Sequence, residues 1–64
     1  MTDWQTLVVV ERRELNAKIG ALRVFIYGPS FVGLDSTDKA LLKDQYNTMV
    51  KYSNLLSERI ERFK

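Results

Sequence analysis

The sequence contains no cysteine and no histidine. Without cysteine the chain has no disulfide and no thiol nucleophile, and without histidine it has no imidazole for acid–base chemistry near neutral pH. The absence of both also excludes zinc sites of the Cys/His type. Glycine-rich phosphate loops and nucleophile motifs are missing as well. We therefore expect no enzyme, no metal site and no cofactor.

A long apolar run and a strong charge of one sign are also missing. No run approaches the ~20 apolar residues of a membrane span, and the first residues lack the basic-then-apolar order of a signal peptide. Lys and Arg number 10 against 8 Asp and Glu, which gives a net charge of +2, whereas a duplex-binding domain usually carries a dense basic face. We expect an intracellular, soluble protein without a membrane or nucleic-acid partner.

The chain contains one proline, Pro29, which follows Gly28. This pair ends helices, and the sequence on either side of it has the periodicity of a helix. With 45% hydrophobic and 28% charged residues, the composition is that of a globular protein. We predict an all-α fold in which a single domain, residues 1–64, is an antiparallel two-helix hairpin. Its parts are a helix at about 3–27, a loop at 28–35 and a helix at about 36–63.

Local signals support these helix limits. Thr2 and Gln5 form a T-x-x-Q capping box at the start of the first helix. Asp35 or Ser36 is expected to cap the second helix. In the loop, Phe31 and Leu34 are expected to close the end of the hairpin.

The second helix carries a long apolar stripe with two polar members. Its residues recur at steps of three and four: Leu42, Gln45, Met49, Tyr52, Leu56, Ile60 and Phe63. The matching stripe of the first helix, which has Arg12 inside it, is Val8, Leu15, Ile19, Leu22 and Ile26. A polar group left unpaired in such an interface costs about 1–3 kcal/mol. We therefore expect Gln45 and Tyr52 to face the first helix and to find partners there.

Both helices have further apolar residues outside these stripes. On nearly the opposite side of the first helix, at ~100° per residue, lie Val10, Ala17 and Val24, with the small Gly20 beside them. The second helix has apolar residues on both sides of its stripe: Leu41, Leu55, Tyr46 and Val50. A helix that is apolar on more than one side is usually buried on more than one side. We therefore expect the hairpin to assemble into a homo-oligomeric helical bundle.

Arg12, Tyr52 and Gln45 are candidates for a polar cluster inside the hairpin. If the chain turns near residues 31–32, facing positions sum to about 64, which places Arg12 near Tyr52. In one interpretation Arg12 pairs with a carboxylate and its stem covers apolar surface. In the other, its guanidinium and the Tyr52 phenol line a small-molecule pocket between chains, where they bind phosphate and stack on a base.

Other residues are weaker candidates for binding. Arg13 and Arg23 flank the second stripe of the first helix and either ring a cleft between chains or form salt bridges at its rim. Tyr27 begins a loop whose backbone is a candidate anion site, although helix capping already explains its glycine.

Two motifs span most of the chain. The first helix reads E-x-x-E-L-x-x-K-I-x-x-L-x-x-F from Glu11 to Phe25. The second reads L-L-x-x-Q-x-x-x-M-x-x-Y-x-x-x-L-x-x-R-I and includes Gln45, Tyr52 and Arg59, which are polar where amphipathicity does not require it. Together these motifs resemble a family of very small phage proteins that includes members from crAss-like phages.

The resemblance implies no catalytic residues. In size, hairpin form and phage setting the family is similar to oligomeric phage sponge proteins, which sequester cyclic nucleotide signals of bacterial immune systems such as CBASS and Thoeris. It therefore implies an anti-defence protein in the cytoplasm of the infected host. Such a protein binds a cyclic oligonucleotide or a cyclic ADP-ribose type of messenger between subunits without cleaving it. The ligand-binding candidates are Arg12, Tyr52, Gln45, Arg13, Arg23, Tyr27 and Arg59. The alternative is a helical protein-interaction module that inhibits or adapts a host protein.

Overall fold

The computed structural model describes residues 3–63, and over this range the chain is helical with two short connections. The helices are α1 (Asp3–Ile26), α2 (Pro29–Val32) and α3 (Ser36–Glu61). α1 and α3 pack along each other in a body of 46 × 14 × 14 Å. The predicted all-α fold with two long packed helices is confirmed. None of the helices within residues 3–63 combines the length and the apolar character that crossing a membrane requires.

Contacts at one end and in the middle show that α1 and α3 run antiparallel. The Trp4 ring near the start of α1 meets the Phe63 ring edge-on, with centroids 5.2 Å apart. Halfway along the pair, the Ser53 hydroxyl donates a hydrogen bond of 2.6 Å to the Asn16 side-chain oxygen. These two pairs are offset by a few residues from the register expected from the sequence.

The connection contains a helical turn, α2, where the sequence predicted a loop. Pro29 suits the first position of a helix, because its ring fixes φ and it has no N–H to leave unsatisfied. Gly28 precedes it in an extended conformation and donates its N–H to the Phe25 carbonyl oxygen at 3.1 Å. A Cβ on Gly28 would lie 3.2 Å from the Val24 carbonyl oxygen. Close backbone approach, and not a left-handed conformation, therefore favours glycine here.

The two ends of the connection are fixed by Phe31 and Asp35. Phe31 is buried, as expected, and the ammonium groups of Lys39 and Lys43 lie 5.9 and 5.8 Å from its ring centroid. Of the two residues proposed to cap the second helix, Asp35 is the cap. Its carboxylate accepts a hydrogen bond of 2.8 Å from the Asp38 N–H. The capping box proposed for Thr2 lies outside the described residues.

α3 and the two residues after it carry seven positions on the side of α1 that alternate steps of four and three. These partly or fully buried residues, which we call the inner seam, are Leu42, Tyr46, Met49, Ser53, Leu56, Ile60 and Phe63. Each is preceded by an exposed residue, and this second set, which we call the outer seam, is Leu41, Gln45, Thr48, Tyr52, Leu55, Arg59 and Arg62. At ~100° per residue the two seams lie roughly a quarter turn apart on the helix.

The spacing of apolar residues does not separate these two seams. The prediction that Gln45 faces α1 was wrong, because its amide contacts Met49 on the same helix. Tyr52 does find its partner on α1, the Glu11 carboxylate, although it lies in the outer seam. Both residues belong to the exposed outer seam, and Tyr46 and Ser53 take the positions facing α1. Apolar residues occur in both seams, so their spacing alone does not select one. Ser53 completes the inner seam because its small side chain fits between the helices and its buried hydroxyl has a partner in Asn16.

Candidate ligand-binding site

Two open grooves run along opposite edges of the α1·α3 contact, each with a volume of about 280 Å³. The residues that line the first, which we call the Tyr52 groove, are Glu11, Glu14, Leu15, Lys18 and Tyr52. Those that line the second, which we call the Tyr27 groove, are Arg23, Ile26, Tyr27, Lys43, Tyr46 and Asn47. The two grooves differ in the sign of the charge that their side chains carry.

The Tyr52 groove is acidic. Glu11 and Glu14 outnumber the one cation, Lys18. The Tyr52 hydroxyl donates a hydrogen bond to the Glu11 carboxylate, which joins the outer seam of α3 to the edge of α1. Two carboxylates repel phosphate, so an anionic ligand would gain little in this groove of a single chain.

The environment of Tyr52 raises the pKa of its hydroxyl above the ordinary value for tyrosine. The main cause is the hydrogen bond to the Glu11 carboxylate, which holds the phenol proton in place. Partial desolvation and the negative charge of Glu11 act in the same direction, and the positive charge of Arg59 acts against them. Tyr52 is therefore a neutral hydrogen-bond donor at physiological pH.

The Tyr27 groove has the opposite character. It contains two cations, Arg23 and Lys43, and no carboxylate, and both of its aromatic rings are phenols, Tyr27 and Tyr46. Asn47 adds an amide that both donates and accepts hydrogen bonds. Cations bind phosphates, aromatic faces stack on bases and an amide reads a base edge. The groove thus has the groups that recognise a nucleotide.

The structure brings some of the predicted site residues together and separates others. Gln45, Tyr52 and Arg59 share the outer seam at intervals of seven residues, where Gln45 makes a weak contact of 3.9 Å from its amide nitrogen to the Met49 sulfur. Arg23 and Tyr27 share the other groove. Arg12 and Arg13 are exposed on α1.

The expected contact between Arg12 and Tyr52 is not the one that forms in a single chain. Glu11, the residue before Arg12, takes the position against the Tyr52 hydroxyl. By helical rotation Arg12 lies on the α1 edge that carries Asn16 and Arg23, away from Tyr52. The rotation of ~100° between Glu11 and Arg12 is the physical reason for this difference, since Glu11 meets Tyr52 close to the expected register.

Three residues of the Tyr27 groove were not predicted from the sequence: Lys43, Tyr46 and Asn47. All three lie on α3 and share the groove with Arg23 and Tyr27 of the other side. The sequence does not display which side of α3 lies next to Arg23, so it carries no signal that would have found them. No group of acidic side chains within residues 3–63 is placed to hold a metal ion.

Comparison with known proteins relates the chain to phages. A family model described as Sequestin matches residues 2–62. A protein of Enterobacteria phage T4, described as an uncharacterized 7.5 kDa protein in the denB-rIIB intergenic region, is 33% identical over 64 residues, which covers 100% of both chains. No solved structure matches the chain.

Proposed function

Because the chain belongs to the Sequestin family, we propose that it binds a nucleotide-derived immune second messenger in pockets between subunits and holds it without cleaving it. The family name indicates sequestration, and the phage T4 relative confirms the resemblance to small phage proteins. The messenger is of the cyclic oligonucleotide or cyclic ADP-ribose type. The place of action is the cytoplasm of the infected bacterial host, where such signals are made.

The observation that carries this proposal is the chemistry of the Tyr27 groove. Arg23 and Lys43 supply positive charge from opposite helices, and the exposed ring of Tyr27 offers a stacking face. A charge-assisted hydrogen bond to phosphate contributes about 1.5–3 kcal/mol. Of the candidates from the sequence, Arg23 and Tyr27 therefore form the centre of the proposed site.

The groove needs a second subunit to enclose a ligand. Pockets for small molecules typically hold ~300–1,000 Å³ and cover most of the ligand surface, whereas this groove has about 280 Å³ and is open. Next to it on α1 lies Val24, which is 74% exposed, and a Cβ on nearby Gly20 would meet nothing within 4 Å. Small and apolar residues at that position allow another helix to approach closely, which supports a pocket between chains.

Calorimetric titration and thermal shift with cyclic dinucleotides, cyclic trinucleotides and cyclic ADP-ribose isomers test this proposal. A ligand at 100 times its dissociation constant adds about 2.7 kcal/mol to stability, which in a domain of this size raises the melting temperature by about 10–20 °C. Chromatography of the bound ligand after release should return it unchanged. A shortened or opened product would contradict sequestration.

Lys43→Ala and Lys51→Ala form a matched pair that locates the site. Both lysines are exposed on α3, and of the two only Lys43 lines the Tyr27 groove. We expect Lys43→Ala and Arg23→Ala each to weaken binding about ten- to a hundred-fold, and Lys51→Ala to bind normally. Normal binding by both groove variants, together with loss of binding in Tyr52→Ala, would move the site to the Tyr52 groove.

A helical protein-interaction module remains the alternative function. The observation that favours it is the exposed apolar surface, since Leu7 is 68% exposed and Val24 74% exposed in the single chain. A stoichiometric host protein that co-purifies with the chain, combined with no thermal shift for any nucleotide, would support this alternative and refute sequestration.

A further inference from the structure

The outer seam of α3 has the spacing of a coiled-coil interface but stays exposed in the single chain, although Tyr52 within it donates a hydrogen bond to Glu11 of α1. Its residues alternate steps of four and three through three heptads, from Leu41 to Arg62. The large side chains in this seam stay in contact with water, with Leu41 61%, Leu55 56% and Tyr52 40% exposed. The inner seam, one residue further along, repeats the same spacing and is covered by α1.

We propose that the outer seam pairs with the outer seam of a second copy of this chain, with the two α3 helices antiparallel. In this arrangement a two-fold axis passes close to residue 50. Leu41 of one copy then packs beside Arg59 of the other, Gln45 beside Leu55, and Thr48 beside Tyr52. Every interface residue is used twice, as an isologous dimer requires.

The charges at the two ends of the outer seam favour the antiparallel orientation. Asp38 continues the spacing of the seam before Leu41, and Arg59 and Arg62 lie at its other end. An antiparallel pair brings Asp38 of each copy next to Arg62 of the other. A parallel pair would place aspartate next to aspartate and arginine next to arginine, which is unfavourable.

The angle between the two seams completes the arrangement. A shift of one residue turns a helix by ~100°, close to the right angle between neighbouring contacts in a four-helix bundle. Since the inner seam holds α1, two copies joined through their outer seams form such a bundle. The second α3 becomes a third wall of the Tyr52 groove. The polar residues Gln45 and Arg59 then fix register and orientation, as polar residues at seam positions do in coiled coils.

Single cysteine variants test this proposal cleanly because the natural chain has no cysteine. Leu41→Cys and Arg59→Cys are purified reduced, mixed in equal amounts and oxidised with oxidised glutathione. We expect a disulfide-linked dimer in the mixture that joins one variant to the other, and little cross-linking of either variant alone. The two positions lie roughly 27 Å apart along one helix at ~1.5 Å per residue, beyond the reach of a disulfide.

Cross-linking of either variant with itself would indicate a parallel pair and overturn the proposal. So would a folded monomer of the natural chain at 100 µM in sedimentation equilibrium, or a dimer whose mixed variants fail to cross-link.

Leu55→Glu provides a second test by sedimentation. It should form a smaller assembly than the natural chain and keep its helical circular dichroism, because Leu55 is 56% exposed and lies outside the inner seam. Val32→Glu is the control, since Val32 is 73% exposed in α2 and lies outside the seam; it should keep the assembly state of the natural chain. A Leu55→Glu variant with the assembly state of the natural chain would contradict the proposal. These outcomes do not depend on the ligand, because the Tyr27 groove lies on the opposite edge of the hairpin from the Tyr52 groove.

Discussion

Leu56→Ala is the substitution expected to destabilise this protein most. Leu56 is completely buried in the inner seam, with 0% of its surface exposed. Truncation of a buried leucine costs about 2–5 kcal/mol through lost transfer free energy and the cavity left behind. In a hairpin only two helices thick the neighbours close part of the cavity, so we expect about 2–3 kcal/mol. The total stability of a chain of this length is only about 3–10 kcal/mol, so the loss is a large share of it.

Leu55→Ala is the matched control, because it makes the same change in the adjacent residue of the same helix. Leu55 is 56% exposed, and leucine and alanine have similar helix propensities. Urea unfolding followed by circular dichroism at low micromolar protein should therefore show a loss below about 1 kcal/mol for Leu55→Ala. Equal losses for the two variants at this concentration would refute the assignment of the inner seam to the contact with α1.

Two further substitutions test local contacts. Asp35→Ala removes the acceptor of the Asp38 N–H and should cost about 1 kcal/mol in urea unfolding, whereas Asp35→Asn keeps the cap and should cost less. For Tyr52, the hydrogen bond to Glu11 raises the pKa, so its contribution to stability is complete below the unfolded-state pKa of about 10 and is lost as pH rises through the higher folded-state pKa. Ultraviolet titration of tyrosinate should show this pKa fall toward its ordinary value in Glu11→Gln, with Tyr52→Phe identifying the signal; an unchanged titration would contradict the Glu11 contact.

The helices and their limits depend on signals that are local in sequence. Gly28 and Pro29 mark the break between the long helices. The Asp35 carboxylate accepts a hydrogen bond from the backbone N–H three residues later. Each of these signals acts within one turn of chain, so no knowledge of the tertiary structure was needed to find them. The helical turn α2 was missed because four residues are too few to show a periodicity.

The face of each helix depends on contacts between helices, which the sequence does not display. Gln45 and Tyr52 fit an apolar stripe as well as Tyr46 and Ser53 do, since the two sets differ by one residue. Asn16 of α1 favours the set with Ser53, because its side-chain oxygen accepts a hydrogen bond from the buried Ser53 hydroxyl. Lys43 was not found as a candidate for the same reason, because only the contact between the helices brings it to the groove of Arg23 and Tyr27.

Leu55→Ala and Leu56→Ala also distinguish the contributions of the outer and inner seams to stability. If the outer seam faces only water, Leu55→Ala stays nearly neutral at every protein concentration. If it pairs with a second copy, Leu55 is buried in the dimer, where full burial of a leucine contributes about 1.5–3 kcal/mol. Dimerisation couples to folding by mass action, so the apparent cost of Leu55→Ala should grow as protein concentration rises from about 1 to 100 µM. The cost of Leu56→Ala arises within each chain and should change far less. A Leu55→Ala cost that is independent of concentration would therefore argue against self-association through the outer seam while leaving the hairpin itself intact.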